Sequence, residues 1–207
     1  MAFIAVQTEF VQSKLVQFAT NKLSKELGTE VSIKRVSLSL FNKLNMEGTM
    51  IRDKQKDTLL YAGQLRVRIT DWFFLKDKAE LKFISLEEAV IKLQRKDSLW
   101  NYQFIVDYFA SPTPTKKKES SFVLDLKRID LKNVRFIKTD LWTGDLMSVQ
   151  VASLVIDAEK IDLVKKSFSI SSIVLNKPMI VLQSSKPLRA KPAITSKSPI
   201  KDGLALI

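Results

Sequence analysis

Between residues 31 and 94, and again between residues 122 and 183, apolar and polar residues alternate with a period of two. That period belongs to strands with one buried face, because successive side chains of an extended chain point to opposite sides. Val31 and Ile33, then Val36, Leu38 and Leu40, then Leu44 and Met46 stand against Lys34, Ser37 and Ser39. Leu65, Val67 and Ile69, then Leu81 and Phe83, then Ala89, Ile91 and Leu93 carry the pattern on. The phase shifts from group to group, as bulges or turns make it do. The connectors are short and polar, RDKQKD at 52–57 and KDKAE at 76–80, so the strands form a meander.

The second half repeats the first. Residues 65–94, LRVRITDWFFLKDKAELKFISLEEAVIKLQ, align without a gap on residues 154–183, LVIDAEKIDLVKKSFSISSIVLNKPMIVLQ, at an offset of 89 (154 − 65). Apolar faces apolar at thirteen of the thirty positions, among them Leu65 with Leu154, Val67 with Ile156, Leu81 with Ile170, Ile91 with Ile180 and Leu93 with Leu182. The preceding strands correspond as well, LNMEGTMIRD at 44–53 with LKNVRFIKTD at 131–140, with the offset slipping by two. A repeat of this length holds several strands, and such units stack on their neighbours.

Ahead of the strands the period is 3.6. Val11, Leu15, Phe18, Ala19, Leu23 and Leu27 form one stripe, with Lys14, Lys22, Lys25 and Glu26 on the other side. Thr8 is placed to cap this helix and Gly28 to close it. The stripe suits docking on the chain's own sheet, or a membrane surface. Ala2–Val6 is far shorter than the roughly 20 apolar residues that span a bilayer. It reads as an ordinary start or as the last turn of a membrane helix. The chain divides into a helix at 1–28, a first β unit at 29–110, a Pro/Lys-rich linker at 111–121, a second β unit at 122–183, and a basic tail or linker at 184–207. Between the units Trp100, Tyr102, Phe104, Tyr108 and Phe109 suit a strand or short helix filling one end of the sheet.

The net charge of +12 invites an anionic partner. Yet Lys116, Lys117 and Lys118 against Glu119 put +2 in the linker, and Lys186, Arg189, Lys191, Lys197 and Lys201 against Asp202 put +4 in the tail. Half of the excess thus lies outside the strands. Histidine and cysteine are both absent, which removes imidazole bases, thiol nucleophiles, disulfides and the usual zinc ligands. Five scattered glycines offer no phosphate-cradling loop. These absences point away from an enzyme, and no cofactor is expected.

VQSKLVQFATNKLSKELGTEVSIKRVSL, KDTLLYAGQLRVRI, FIVDYF before a lysine-rich linker and FVLDLKRIDLKNVRF after it resemble the N-terminal region of the bacterial AsmA/TamB superfamily, most of all its TamB-like members from Bacteroidetes. The likeness covers about residues 6 to 183. It implies an inner-membrane helix followed by a periplasmic body of repeated β units. These units form an open, taco-shaped sheet with an apolar groove, and the family serves outer-membrane protein assembly, secretion and phospholipid transport. The implied partners are phospholipid or acyl chains in the groove, the inner membrane at the N-terminus, and outer-membrane assembly machinery through C-terminal parts. This chain departs from the family in holding at most the end of the anchor and about two repeats. That points to a truncated gene model, a fragment or a degenerate paralogue, with the tail leading toward further repeats.

The expected fold is therefore mainly β: an N-terminal amphipathic helix, then two antiparallel meander units in an open, curved sheet. One helix against some ten strands leaves part of the apolar face without a protein partner, and a large apolar surface marks a binding site. The candidate lining residues are Leu65, Val67, Ile69, Leu81, Phe83, Ile91, Leu93, Leu154, Ile156, Phe168, Ile170, Ile180 and Leu182. Acyl chains suit such a face because apolar burial is non-directional. The alternative covering is a closed sandwich of the two repeats with a dry core. A nucleic-acid module is the rival function, but Arg66 and Arg68 become Val155 and Asp157 in the repeat, so phosphate contacts do not recur; no nucleic-acid partner is expected. An outer-membrane barrel would need strands of about 9–11 residues with aromatic girdles, longer than those read here.

Overall fold

Residues 9–39, 43–69, 79–110, 122–162 and 167–188 are described by a computed structural model. The apolar stripe forms helix α1, Glu9–Leu27. Gly28 takes φ of 60°, and the Thr29 N–H donates to the Ser24 carbonyl at 3.2 Å. This is the left-handed closure a glycine makes at no steric cost. Lys54 Nζ donates to the carbonyls of Leu27 and Gly28 at 3.0 and 2.7 Å, satisfying acceptors the helix leaves open. The stripe docks on the protein's own sheet: Ala19 is buried, and Leu15, Val16, Leu23 and Leu27 pack around it. No described helix is long and apolar enough to cross a membrane.

The strands are β1 (Val31–Ser32), β2 (Arg35–Ser39), β3 (Lys43–Arg52), β4 (Thr58–Ile69), β5 (Ala79–Arg95), β6 (Phe122–Asp140), β7 (Asp145–Asp162), β8 (Ser167–Asn176) and β9 (Met179–Ser184), with helix α2 (Gln103–Ala110) between β5 and β6. They make one nine-stranded sheet in the order β1-β3-β4-β5-β6-β7-β8, with β2 beside β1 on β3 and β9 continuing β8 along β7. The sheet is curved and open, as expected, and does not close into a barrel. Its strands are longer than their alternation suggested: β5, β6 and β7 run for 17, 19 and 18 residues. Strand length therefore gives no ground against a barrel; the free ends of the sheet do.

Every described pairing is antiparallel except β5 with β6, which is parallel. The meanders are antiparallel within each unit, and the joint between units is not. A parallel neighbour requires a crossover, and residues 96–121, including α2, supply it. The linker at 111–121, Ala2–Val6, Trp72–Phe74 and the tail from residue 189 lie outside the described residues.

The internal repeat is present in the register. Leu65 pairs Leu86 and Val67 pairs Ile84; at the offset of 89, Leu154 pairs Leu175 and Ile156 pairs Ile173. Even the irregularity is copied, since the register shifts between Arg68 and Ile69 and again between Asp157 and Ala158. The preceding strands need a correction. Met46 pairs Leu65 and Leu131 pairs Leu154, so β3 maps on β6 at an offset of 85 (131 − 46). The slip is four residues rather than two, because Leu131 and Leu154 are 23 apart in the chain (154 − 131) where Met46 and Leu65 are 19 apart (65 − 46).

The long strands do not alternate from end to end. Reading the registers across gives one row: Gly48, Gly63, Glu88, Asn133, Ala152 and Lys177. Gly48, Glu88, Asn133 and Lys177 have φ of 59°, 53°, 51° and 47°. These left-handed residues, mostly not glycine, lie on the two outer strands of each unit. The middle strands, β4 and β7, cross the row at Gly63 and Ala152 without a positive φ. On each strand the core-facing positions step by three here instead of two, as in Met46 to Thr49, Leu86 to Ala89 and Leu131 to Val134. Every strand thus carries one extra residue at the same height. The row is a crease in the alternation, and across it the apolar residues stay on one face. The residues beside the crease are small and fully covered: Thr49, Ala62, Ala89, Val134 and Val151 are 0–1 % exposed. Among the described residues no second sheet lies over them, and α1 meets the sheet at β1 and β2.

Candidate functional site

The apolar face is the surface on which the expected lining residues meet. Leu65, Val67 and Leu81 are buried in its core cluster, and Ile91, Leu154 and Ile161 pack on it partly buried. Leu93 and Ile156 are half-buried. Ile69 stands opposite Leu81 in the register, and its side chain lies outside those described. Phe168, Ile170, Ile180 and Leu182 are 57, 40, 58 and 71 % exposed. The face therefore loses its cover from one end of the sheet to the other: tight over β3 to β6, open over β8 and β9.

Phe83 departs from this group. The shift between Arg68 and Ile69 sets Phe83 opposite Arg68, and directly opposed residues share a face. The ring therefore lies on the polar side, with the Arg68 guanidinium 5.9 Å from its centre. Strict alternation put Leu81 and Phe83 together; the extra residue at Lys82 separates them. Phe83 instead lines a shallow cavity of about 370 Å³ with Lys43, Asn45, Arg66 and Arg68. Among the described residues Lys43 and Arg68 face one another across β3 and β4 with no carboxylate between them. Like charges directly opposed repel, so this pair works against the β3–β4 pairing.

Elsewhere the strand arginines are held by acids. Arg66 lies 3.0 Å from Glu87, Arg128 2.9 Å from Asp157, and Arg35 3.3 Å from Glu47. Lys132 reaches Glu87 as well at 2.9 Å. Hydrogen bonding from Lys132, with the Arg66 charge nearby, holds the Glu87 carboxyl below its usual range.

The opposite end of the sheet is locked by two buried carboxylates. Asp53 Oδ1 accepts the N–H groups of Gln55 and Asp57 at 3.0 and 2.9 Å, and its Oδ2 accepts from Asn101 at 3.1 Å. Asp140 occupies the same place in the second unit. It takes a two-pronged bond from Arg95, whose Nε lies 3.0 Å away, and a backbone bond from Thr143. Arg95 holds the Asp140 carboxyl down to a pKa of about 2. The aromatic stretch between the units closes this end. Trp100 and Tyr102 stack at 5.7 Å, Arg95 lies 4.9 Å over Trp100, and the Tyr108 hydroxyl donates to Glu26 of α1 at 3.0 Å. These rings tie both helices to the hairpin tips and leave the apolar face to the strands.

Among the described residues no group of acidic side chains converges as a metal site. The residues that sequence reasoning missed are the crease row and the small side chains beside it. Their signal was there: Leu44, Met46, Thr49 and Ile51, and again Ile129, Leu131, Val134 and Phe136, share the spacing i, i+2, i+5, i+7. No protein-family model matches the chain, and neither does any curated protein.

Proposed function

We propose that the chain is a non-enzymatic, AsmA/TamB-like segment of an envelope-biogenesis protein whose apolar sheet face holds the acyl chains of phospholipid. The observation that carries this reading is a long, curved sheet with one apolar face and, among the described residues, no second sheet over it. Cover that fades toward β8 and β9 leaves room for a ligand of no fixed shape, and apolar burial is worth roughly 25 cal/mol per Å² whatever the ligand's detail. Lipid passage along such a face needs no reacting side chain. The place of work is the cell envelope, on the periplasmic side of an inner-membrane anchor, in support of outer-membrane assembly. The ion-paired strand arginines count against the rival reading of a nucleic-acid module, which wants its cations free and clustered.

Native mass spectrometry of the purified chain tests the proposal. Phospholipid should accompany the protein, and replacing Ile180 and Leu182 together by lysine should strip most of it. A lipid-free protein that retains RNA at moderate salt overturns the reading.

A further inference from the structure

We infer that the outer edge of β8 and β9 is an addition site for a parallel strand of the β6 type, the first strand of another unit of the same repeat. The inference does not depend on what the apolar face holds.

Strands β8 and β9 together are the second unit's β5. They pair with β7 at the registers by which β5 pairs with β4, share its bulge, and take the left-handed conformation at Lys177 as β5 does at Glu88. The second edge of β5 is occupied: β6 lies along it in parallel, with Ile84 beside Ile129, Leu86 beside Leu131, Ala89 beside Val134 and Ile91 beside Phe136. The second edge of β8 and β9 carries no strand among the described residues. Exposure records the difference, since Leu86 is 7 % exposed and its counterpart Leu175 is 48 %.

The chemistry of this edge is that of an interior strand. Natural edges are blunted with charge and proline; SFSISSIVLN and MIVLQS contain neither, and Lys177 and Pro178 interrupt the edge at the crease between them alone. Both faces are apolar: Ile173, Leu175 and Ile180 on one, Val174, Met179 and Val181 on the other, all 45–62 % exposed. Backbone groups along such an edge lack ladder partners, and an extended segment satisfies them directly.

The repeat also selects the occupant. In a second copy of the chain, the β6 equivalents are already engaged: β6 itself by β5, and β3 by β1 and β2. Head-to-tail stacking of identical chains is therefore blocked at the far partner. What fits is a β6-type strand that no unit has yet taken. Transferring the β5–β6 register places its counterparts of Ile129, Leu131 and Phe136 beside Ile173, Leu175 and Ile180.

The test uses the full 207-residue chain and a synthetic peptide of its own β6 sequence, FVLDLKRIDLKNVRFIKTD. The peptide should bind saturably and slow amide exchange across residues 168–183. Because the chain has no cysteine, a Leu175→Cys chain can be oxidised against peptides bearing one cysteine each. Cross-linking should favour a cysteine at the Leu131 position about tenfold over one at Leu124 or Phe136, since a disulfide needs Cα atoms within about 7 Å. Leu175→Lys, at an exposed position, should fold normally and weaken peptide binding about tenfold or more. A peptide that gives no protection, cross-links without regard to cysteine position, or binds equally well when its sequence is reversed overturns the inference. So does a Leu175→Cys chain that cross-links to itself in preference to the peptide, which would assign the edge to a twofold pairing of copies.

Discussion

Asn133 is an exposed residue in the middle of the longest strand, β6, with φ of 51°. Two principles assign opposite signs to Asn133→Val. Valine favours strands and asparagine does not, by up to about 1 kcal/mol, so a regular strand would gain stability. In the left-handed region a Cβ crowds the following carbonyl at a cost of about 1–2 kcal/mol, asparagine tolerates this best, and a β-branched residue fares worst. The side chain is exposed, so little packing is gained or lost and the backbone decides. We expect Asn133→Val to destabilise the protein by about 2 kcal/mol. In urea, with a slope of about 2 kcal/mol per molar, the midpoint should fall by about 1 M with the slope unchanged. Asn133→Gly should be neutral or stabilising by up to about 1 kcal/mol. Ala152 supplies the control, because it stands opposite Asn133 on the same row with no positive φ. There valine meets an ordinary strand backbone, and Ala152→Val should cost nothing or stabilise slightly. A neutral or stabilising Asn133→Val, or equal losses at both positions, would refute the crease as a set of left-handed residues on the outer strands of each unit.

Acid should loosen the tip of the second hairpin. The Asp140 carboxyl titrates near 2 rather than 3.8, so its ionisation contributes about 2 kcal/mol, present above the unfolded value and lost as pH falls from about 4 toward 2. Urea midpoints of wild type and Asp140→Asn should therefore converge between pH 5 and pH 2, and parallel curves would refute this. Leu131→Ala, which empties a buried place on the crease flank, should cost about 2–5 kcal/mol, whereas Leu175→Ala at the equivalent exposed place should cost under about 1 kcal/mol, both read from urea midpoints. Lys43→Gln with Arg68→Gln should relieve the opposed charges and leave the urea midpoint equal or higher; a lower midpoint would refute the repulsion.

Much of the fold could be read locally. The helix and its glycine stop, the strand pattern and the gapless repeat all rest on short-range periodicity. The connector at 52–57 could be read as a turn because its residues cannot sit in a core, whereas of 76–80 Ala79 and Glu80 belong to β5 and the rest lies outside the described residues. What could not be read rests on register. The phase shift at Met46 to Thr49 is visible in the sequence, but that it falls level with those at Leu86 and Leu131 depends on hydrogen bonds between strands far apart in the chain. The parallel joint is hidden for a similar reason, since a crossover spanning 96–121 gives no local sign of which way the next strand runs. Phe83 was misplaced because a single extra residue reverses every assignment until the next one. The apolar face was legible as a face, but its gradient of exposure was not. Leu86 and Leu175 occupy equivalent places in the repeat, but among the described residues only Leu86 has a strand on both sides.

The hairpin that outgrew its counterpart shows where this architecture tolerates change in length. Between bulge and crease, the first and second units have kept the same number of residues on every strand, because one added residue would turn all later side chains over and break alignment with both neighbours. Beyond the crease, toward the tips closed by Asp53 and Asp140, the second unit has gained four residues: three on β6 (134–140 against 49–52), two on β7 (145–151 against 58–62) and one fewer in the turn (141–144 against 53–57). Near a tip an odd residue can be taken up by the turn or by a bulge, as the register shift between Ile51 and Arg52 does in the first hairpin. Engineered insertions should follow the same division: residues added at the hairpin tips absorbed, and none admitted between the two copied irregularities.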